Sequence, residues 1–382
     1  MKFNSRQSQN MTIFFIIAVA LLLPYRFIIR RANRQLMFLQ RYTAAKVSAD
    51  KVSIIMAARN EEAQIGHCLD SLLEQDFPRS QMEIIVVDDH SSDSTAAIVQ
   101  RYANQGVRLV QMENQSAFGK KAAIARGIET ANHDIIITTD ADCSYPRKWV
   151  NTLLSYREKM DAVFVAAPVQ FRKEITLLDR FQSLDFMALQ GITAAGVSGK
   201  YLNMCNGANL LYTKEAFLQV KGFEGIDHIA SGDDMLLMEK IDKAFPGGVA
   251  YCFSEDVIVV TEPAASWSAF IQQRIRWSSK AKNYTSFVTK AVLLLVYLVN
   301  AAVVSLLLSG VLDLQWLKYG LMLIAMKTIV ELPFMIRIAR FFRKSALIAW
   351  FIPFQPLHAI YTVVAGTFGL FSKYRWKGRE VV

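Results

Sequence analysis

Cysteine is scarce, with four thiols in 382 residues. Cys68, Cys143, Cys205 and Cys252 make no CxxC pair and no Cys/His ligand spacing, which leaves a thiolate metal site without support. In a cytoplasmic domain they are free thiols. Glycine-rich phosphate loops are missing as well. No GxGxxG follows the first strand-like run and GxxxxGK[ST] occurs nowhere, so neither a dinucleotide-binding turn nor a P-loop is supported. The chain has no internal repeat and no low-complexity linker. Acids are the minority charge, 33 against 43 Lys and Arg, for a net charge of +10. Much of that excess sits beside apolar runs, where membrane topology accounts for it, and no nucleic-acid partner is implied.

Apolar sequence is what the chain has in excess. Hydrophobic residues make up 53% and mean hydropathy is +0.23, above an ordinary soluble protein. The excess is at the ends. One run covers residues 11–29, and three more cover roughly 287–311, 316–335 and 345–371. Each is long enough to supply the ~20 helical residues that cross a bilayer. The first has no small-x-small cleavage site and is followed by Arg26, Arg30, Arg31, Arg34, Arg41 and Lys46, so it reads as an uncleaved anchor. That cluster outweighs Lys2 and Arg6 and places the polar block that follows in the cytoplasm, on an integral protein of the inner or plasma membrane. Arg337, Arg340, Arg343 and Lys344 agree with this topology, whereas Lys373, Arg375, Lys377 and Arg379 do not. Either 345–371, broken by Pro353 and Pro356, does not fully span, or the rule fails there. The expected organisation is an anchor at 1–30, a cytoplasmic domain at 50–263, an amphipathic interfacial helix at 264–285, and a membrane region at 286–372 with about three hydrophobic segments.

Within the polar block, apolar runs alternate with helical patterns. Val52–Ala58 reads as a buried strand, followed by Arg59-Asn60-Glu61-Glu62 and a helix with Ile65, Cys68, Leu69, Leu72 and Leu73 on one side. A second strand at 83–87 ends in Asp88-Asp89, and Ser91, Ser92, Asp93 and Ser94 are N-cap candidates for the next helix. A strand at 107–110 and a helix at 119–131 follow, and then DIIITTDAD at 134–142 as the fourth strand. Four such alternations indicate an open, largely parallel α/β sheet, which binds ligands at the carboxyl ends of its strands.

Arg59 with Glu61, Asp88 with Asp89, and Asp140 with Asp142 each lie just beyond such an end. If the extended geometry persists through Ala141, Asp140 and Asp142 share a face. Two carboxylates so placed repel unless a cation joins them, and hard oxygen ligands suit Mg2+ or Mn2+. A nucleotide diphosphate bound through that metal satisfies an acidic sheet edge. Lys120, at a helix start that itself favours anions, can assist. A phosphatase with an aspartyl nucleophile would also place DxD after a strand, but it leaves Asp88 and Asp89 unexplained.

In order, SIIMAARNEE at 53–62, Val87-Asp88-Asp89-His90-Ser91-Ser92-Asp93, Gly119-Lys120, Asp140-Ala141-Asp142, Gly232-Asp233-Asp234 and Gln273-Arg274-Ile275-Arg276-Trp277 resemble the family 2 glycosyltransferases over about residues 50–280. The resemblance is closest to the membrane-integrated branch of hyaluronan, chitin and cellulose synthases and ceramide glucosyltransferase. It implies a GT-A fold, a nucleotide-sugar-binding, Rossmann-like mixed sheet, with an inverting reaction, a nucleotide sugar that is commonly UDP-linked, and a divalent metal. It also implies that Asp89 contacts the base, with Ala57 and Arg59 lining the same pocket and Glu61 and Asp88 beside it. Asp140 and Asp142 would hold metal and diphosphate.

Asp234 would be the base on the acceptor hydroxyl, while Asp233 lies on the acceptor side and is the expected cap of a helix at 235–242. Asn206 and Gly207, in a turn-rich segment, are acceptor-site candidates. His90 stands where glycine or asparagine is common and reads as an exposed turn residue without a role. Gln273, Arg276 and Trp277 would close the acceptor-side mouth, with Arg276 near the diphosphate and Trp277 stacked on an acceptor sugar. Their amphipathic segment sets Trp267, Phe270, Ile271, Ile275 and Trp277 among Gln273, Arg274, Arg276 and Lys280, which suits the cytoplasmic membrane interface. Lys327 and Glu331, four apart in the third apolar run, either line an acceptor path or neutralise each other, and the second reading is preferred.

Three functions follow for comparison. The first is a membrane-bound inverting hexosyl- or N-acetylhexosaminyltransferase acting on a lipid or glycan hydroxyl. The second is a processive polysaccharide synthase, which needs a translocation pore. The third is a non-catalytic membrane subunit that binds nucleotide sugar and has no need of Asp234.

Overall fold

A computed structural model describes residues 5–112, 119–227, 229, 232–371, 374–376 and 379–381. Of the basic residues weighed for topology, Lys2, Lys373 and Lys377 lie outside them. In chain order the first elements are α1 (Ser5–Phe38), β1 (Val52–Ala58), α2 (Ile65–Leu73), β2 (Met82–Asp88), α3 (Thr95–Arg101), β3 (Val107–Gln111), α4 (Lys120–Thr130), β4 (Ile135–Asp140), α5 (Trp149–Met160), β5 (Phe164–Ala166) and β6 (Val169–Phe171). There follow α6 (Leu177–Ser198), β7 (Leu210–Thr213), α7 (Lys214–Gln219), α8 (Met235–Ala244), β8 (Val249–Tyr251), β9 (Val259–Thr261), α9 (Trp267–Ser279), α10 (Phe287–Ser309), α11 (Leu314–Phe341), α12 (Ile348–Phe351) and α13 (Gln355–Phe371). The chain divides into two compact units.

One unit comprises Leu39–Lys173, Gly196–Pro263 and Arg375–Val382 and holds the sheet. Its strand order is β3-β2-β1-β4-β7-β5-β8. The strands that read as unbroken apolar runs are the central ones, and Ile54, Ile55, Ile84, Ile85, Ile136 and Ile137 are fully buried, as expected when both faces of a sheet are covered. β1, β2, β3 and β4 run parallel, whereas β7 enters antiparallel between β4 and β5. The sheet is therefore mixed. Register then aligns the functional edge: Ala57 stands opposite Asp140 on one side and Val87 on the other, and Ala58 opposite Asp88.

The other unit comprises Met1–Phe38, Glu174–Ala195 and Ala264–Tyr374. Residues 174–195 fall inside the stretch that the sequence presents as one cytoplasmic domain, yet they group here. Their apolar side explains it, since Phe181 packs its ring against Trp267, Phe270, Phe354 and Tyr361. Among the described residues, two helices are long and apolar enough to cross a membrane, Gln9–Phe38 and Phe287–Ser309. Ser345–Phe351 and Gln355–Leu370 would make a third only if counted as one span, and they meet at an 80° bend. α11, over the 316–335 run, is not among these. It buries Lys327 and Glu331 as an ion pair at 2.8 Å, and Gln355 accepts from Lys327 and donates to Glu331. The four-residue spacing anticipates the pair; the amide that joins it comes from another helix.

Candidate active site

The edge begins with two turns that brace each other. The Asp89 amide donates to the Ala58 carbonyl at 2.8 Å, which carries the β1–β2 pairing one residue past the strand ends. Arg59 Nη1 donates to the carbonyls of Asp89 (2.7 Å) and His90 (3.2 Å). Asn60 Oδ1 accepts from the Ser92 amide, and Glu62 Oε2 from the Ser94 amide. The Glu61 amide donates to Thr95 Oγ1 at 2.8 Å. Asp88 and Asp89 are buried, at 5% and 3% exposure. Asp88 accepts weakly from the Ser91 amide, and Asp89 Oδ2 accepts from the Gly119 amide at 3.0 Å.

His90 departs from the sequence expectation. It is half-buried, not exposed, and its Nδ1 lies 3.1 Å from Asp89 Oδ1. Its φ of 57° is left-handed backbone, which explains why glycine or asparagine suits this position and shows a histidine accepting the same strain.

Gly119-Lys120 joins this side to the second group of acids. Gly119, at φ 96°, caps α4 and offers its amide to Asp89, while Lys120 Nζ lies 2.6 Å from Asp140 Oδ1 and 2.9 Å from Asp233 Oδ2. Burial alone would push the ammonium down, but the two carboxylates hold it well above the usual lysine range. Gly207 closes over the cluster. A Cβ there would stand 2.8 Å from Lys120 Nζ, 3.1 Å from Asp233 Oδ2 and 3.6 Å from the Asp234 Cβ. Asn206 Oδ1 accepts from the Ala208 amide, and the Ala208 carbonyl accepts from Thr139 Oγ1 at 2.7 Å, which ties this turn to β4.

Two expectations are corrected at the acids. β4 stops at Asp140, and Ala141 and Asp142 form a turn, so Asp140 and Asp142 do not share a strand face by alternation. The Asp140 carbonyl accepts from the Tyr145 hydroxyl at 3.2 Å, and the turn buries Ala141 and Cys143. The cap of α8 is Asp234, not Asp233: Asp234 Oδ1 accepts from the Met235 amide at 2.7 Å, and the residue is 8% exposed. Asp233 is drawn instead to Lys120.

Gln273, Arg276 and Trp277 lie on α9, in the other unit. Gln273 Oε1 accepts from Arg274 Nη1 at 2.7 Å, and the Arg274 guanidinium covers the Trp277 ring at 4.2 Å. The sequence assigns Arg274 to the polar side of an amphipathic helix, yet it is 3% exposed, because Asp185 offers a buried partner. Asn209, at the end of the turn-rich segment of Asn206 and Gly207, has contacts that the sequence does not show. Its Oδ1 accepts from Trp149 Nε1 and its Nδ2 donates to the carbonyls of Pro168 and Val257, which anchors the turn carrying Gly207. An Asn-Gly pair signalled a turn but not this buried anchor two residues on.

Among the described residues no three His, Cys, Asp or Glu side chains converge as a metal cage. Burial pushes the Cys68 thiol up to about 12 and the Cys143 thiol well above its ordinary value, so neither supplies a thiolate at neutral pH. Asp140 and Asp142 are carboxylates, the donor type that Mg2+ and Mn2+ take one or two at a time, with phosphate oxygens and water completing the shell.

The family model described as glycosyl transferase family 2 matches residues 53–220. Glycosyltransferase AglE of Haloferax volcanii is 26% identical over 227 residues, covering 59% of this chain and 71% of that protein. The probable glycosyltransferase YdaM of Bacillus subtilis is 26% identical over 285 residues, or 70% of this chain; the match spans 65% of that relative's length. Among solved structures, the mannosyltransferase PcManGT of Pyrobaculum calidifontis, in complex with GDP-mannose and Mn2+, is similar at a TM-score of 0.59 and 19% identity, covering 94% of this chain and 99% of that one. At that identity the likeness is one of fold.

Proposed function

We propose, from the premise that this chain is a family 2 glycosyltransferase built on a mixed α/β sheet, that it transfers a sugar from a UDP-sugar to a lipid or glycan hydroxyl with inversion, at the cytoplasmic face of a membrane. The observation that carries this reading is Lys120 bridging Asp140 and Asp233 beneath Gly207. One cation there links the acid that ends β4 to the acids that open α8.

Asp89, held by the Gly119 amide and the Arg59-braced turn, accepts from the nucleotide base, with Ala57 and Arg59 lining that pocket and Asp88 and Glu61 fixing its walls. Asp140 and Asp142 would hold a divalent metal, which when bound would supply positive charge for the leaving diphosphate. Lys120 adds a second positive charge at the same place. Asn206, Gly207 and Asp233 shape the acceptor side. Asp234 takes the proton of the acceptor hydroxyl as its oxygen bonds to the anomeric carbon, and the bond from that carbon to the diphosphate breaks on the opposite face. The family resemblance assigns Arg276 to the diphosphate and Gln273 and Trp277 to the acceptor. The two apolar helices support membrane attachment and therefore a membrane-borne acceptor.

The test uses purified full-length protein in lipid, with Mn2+ or Mg2+ and a panel of UDP- and GDP-sugars. GDP-sugars belong in the panel because a protein of similar fold binds GDP-mannose. A single sugar on an extracted lipid is expected; a polymer would replace this reading with a processive synthase. Asp234→Asn is expected to cut turnover by at least about a hundredfold, and wild-type turnover in that variant would remove the base assignment. If no nucleotide sugar is consumed with membrane lipids present, a binding subunit becomes the better reading.

A further inference from the structure

The QxxRW stretch is recognised by Gln273, Arg276 and Trp277, but the residue with the most fixed surroundings is one that the motif leaves open. Arg274 lies between two rings of its own helix, its guanidinium carbon 4.2 Å from the Trp277 centroid and 4.6 Å from that of Phe270. Nε donates to Asp185 Oδ2 at 2.9 Å, and Nη2 stands 2.7 Å from the same oxygen. Nη1 donates to Gln273 Oε1 at 2.7 Å. Asp185, on α6, is buried too, and its other oxygen accepts from the Tyr361 hydroxyl on α13. His358 Nε2 lies 4.0 Å from that oxygen. Phe186, one residue from Asp185, sets its ring 6.0 Å from the Trp277 centroid.

Burying an ion pair costs several kcal/mol of desolvation per charge, and apolar residues of similar volume often stabilise as well or better. Stability alone is therefore a poor account of Arg274 and Asp185. What arginine adds is geometry. A planar guanidinium hydrogen-bonds along its edge and stacks on its faces at once, which lysine does not do. Here the edge fixes the Gln273 amide and one face fixes the Trp277 indole.

We propose that Arg274, clamped by Asp185 and Tyr361, is a positioning residue that holds Gln273 and Trp277 in the orientation in which they engage the acceptor. This rests on the transferase reading above. Arg274→Lys keeps a charge for Asp185 but removes the stack and the fork. In the full-length protein in lipid, its acceptor KM is expected to rise on the order of tenfold, while its donor KM changes by less than about twofold. Trp277 emission, isolated as the difference from a Trp277→Phe background, is expected to shift in the same variant. Tyr361→Phe removes the hydroxyl from Asp185 but keeps the ring that packs on Phe270 of α9, and is expected to move both readouts the same way by a smaller amount. It serves as the test should Arg274→Lys fail to fold.

Equal rises in donor and acceptor KM with a lower Tm, or an unchanged acceptor KM, would overturn the proposal and leave Arg274 a packing residue. A Trp277 spectrum that ignores the substitution overturns it whatever the kinetics. A wild-type protein that consumes no nucleotide sugar would overturn the transferase reading, and the acceptor role of Arg274 with it.

Discussion

At the scale of single residues, the site is governed by how carboxylates find positive charge. Asp140 and Asp233 lie within ion-pair distance of one ammonium, and like charges brought together without it would repel. Lys120→Met is expected to lower stability by about 1–3 kcal/mol, read as a lower Tm in detergent. Its pH behaviour follows from the sign of the shift. A lysine whose folded pKa is raised contributes stability that is fully present below the unfolded value of about 10.4 and is lost only as pH rises through the higher folded value. The Tm difference between Lys120→Met and wild type should therefore stay constant from about pH 6 to pH 9, and a difference that faded within that window would show that Lys120 is not held as described. Gly207→Ala sets a Cβ 2.8 Å from Lys120 Nζ and 3.1 Å from Asp233 Oδ2. The lysine tip is the flexible partner and gives way, so turnover is expected to fall about tenfold or more with a Tm loss no greater than that of Lys120→Met. The two measurements made together separate a displaced charge from a damaged fold.

At the scale of elements, the site depends on where α4 lies. Its Gly127 faces β1 so closely that an added Cβ would stand 2.4 Å from Ile55 Cγ2 and 3.2 Å from Val87 Cγ2. Close approach of this helix to the sheet brings its first residues, Gly119 and Lys120, to Asp89 and Asp140. Gly127→Val forces the helix outward. Overpacking of this kind costs about 1–3 kcal/mol, and because the displacement reaches the start of the helix, nucleotide affinity is expected to fall as well as Tm. Retained affinity at reduced Tm would mean that the sheet edge is held independently of α4. The strands themselves were legible in the sequence: β1 was found at its observed limits, and β2 and β3 within one residue. Unbroken Ile and Val runs are a local signal that survives folding. β6, β7, β8 and β9, of three or four residues each, gave too few positions for any periodicity. The antiparallel entry of β7 beside β4 depends on the path of the chain between them, which no run of residues encodes.

At the scale of the whole molecule, the chain passes repeatedly between its two units. α6 interrupts the sheet unit in sequence and buries Phe181, Leu184 and Met187; Gly191 lies so near Phe334 of α11 that a Cβ would stand 2.7 Å from its ring. A fragment of residues 39–263 would keep α6 and lose α9 to α13. It is expected to expose an apolar patch of the kind that drives association and to elute from gel filtration as aggregate, whereas the full chain should stay with the membrane pellet after an alkaline wash. A monodisperse fragment would show that α6 does not need its partners.

The sequence by itself determined the membrane-compatible ends, the alternating strands and helices, and the acids beyond the ends of the strands, because each is set by residues near one another in the chain. Only the tertiary structure decided that Lys120 lies between Asp140 and Asp233, that Asp234 and not Asp233 caps α8, and that Arg274 is buried against Asp185. The ion pairs join residues some twenty to a hundred and ten positions apart, and the cap, though local, goes to Asp234 where Asp233 is drawn to Lys120. Which charge meets which is settled by strand register and helix approach, and neither leaves a trace in local composition.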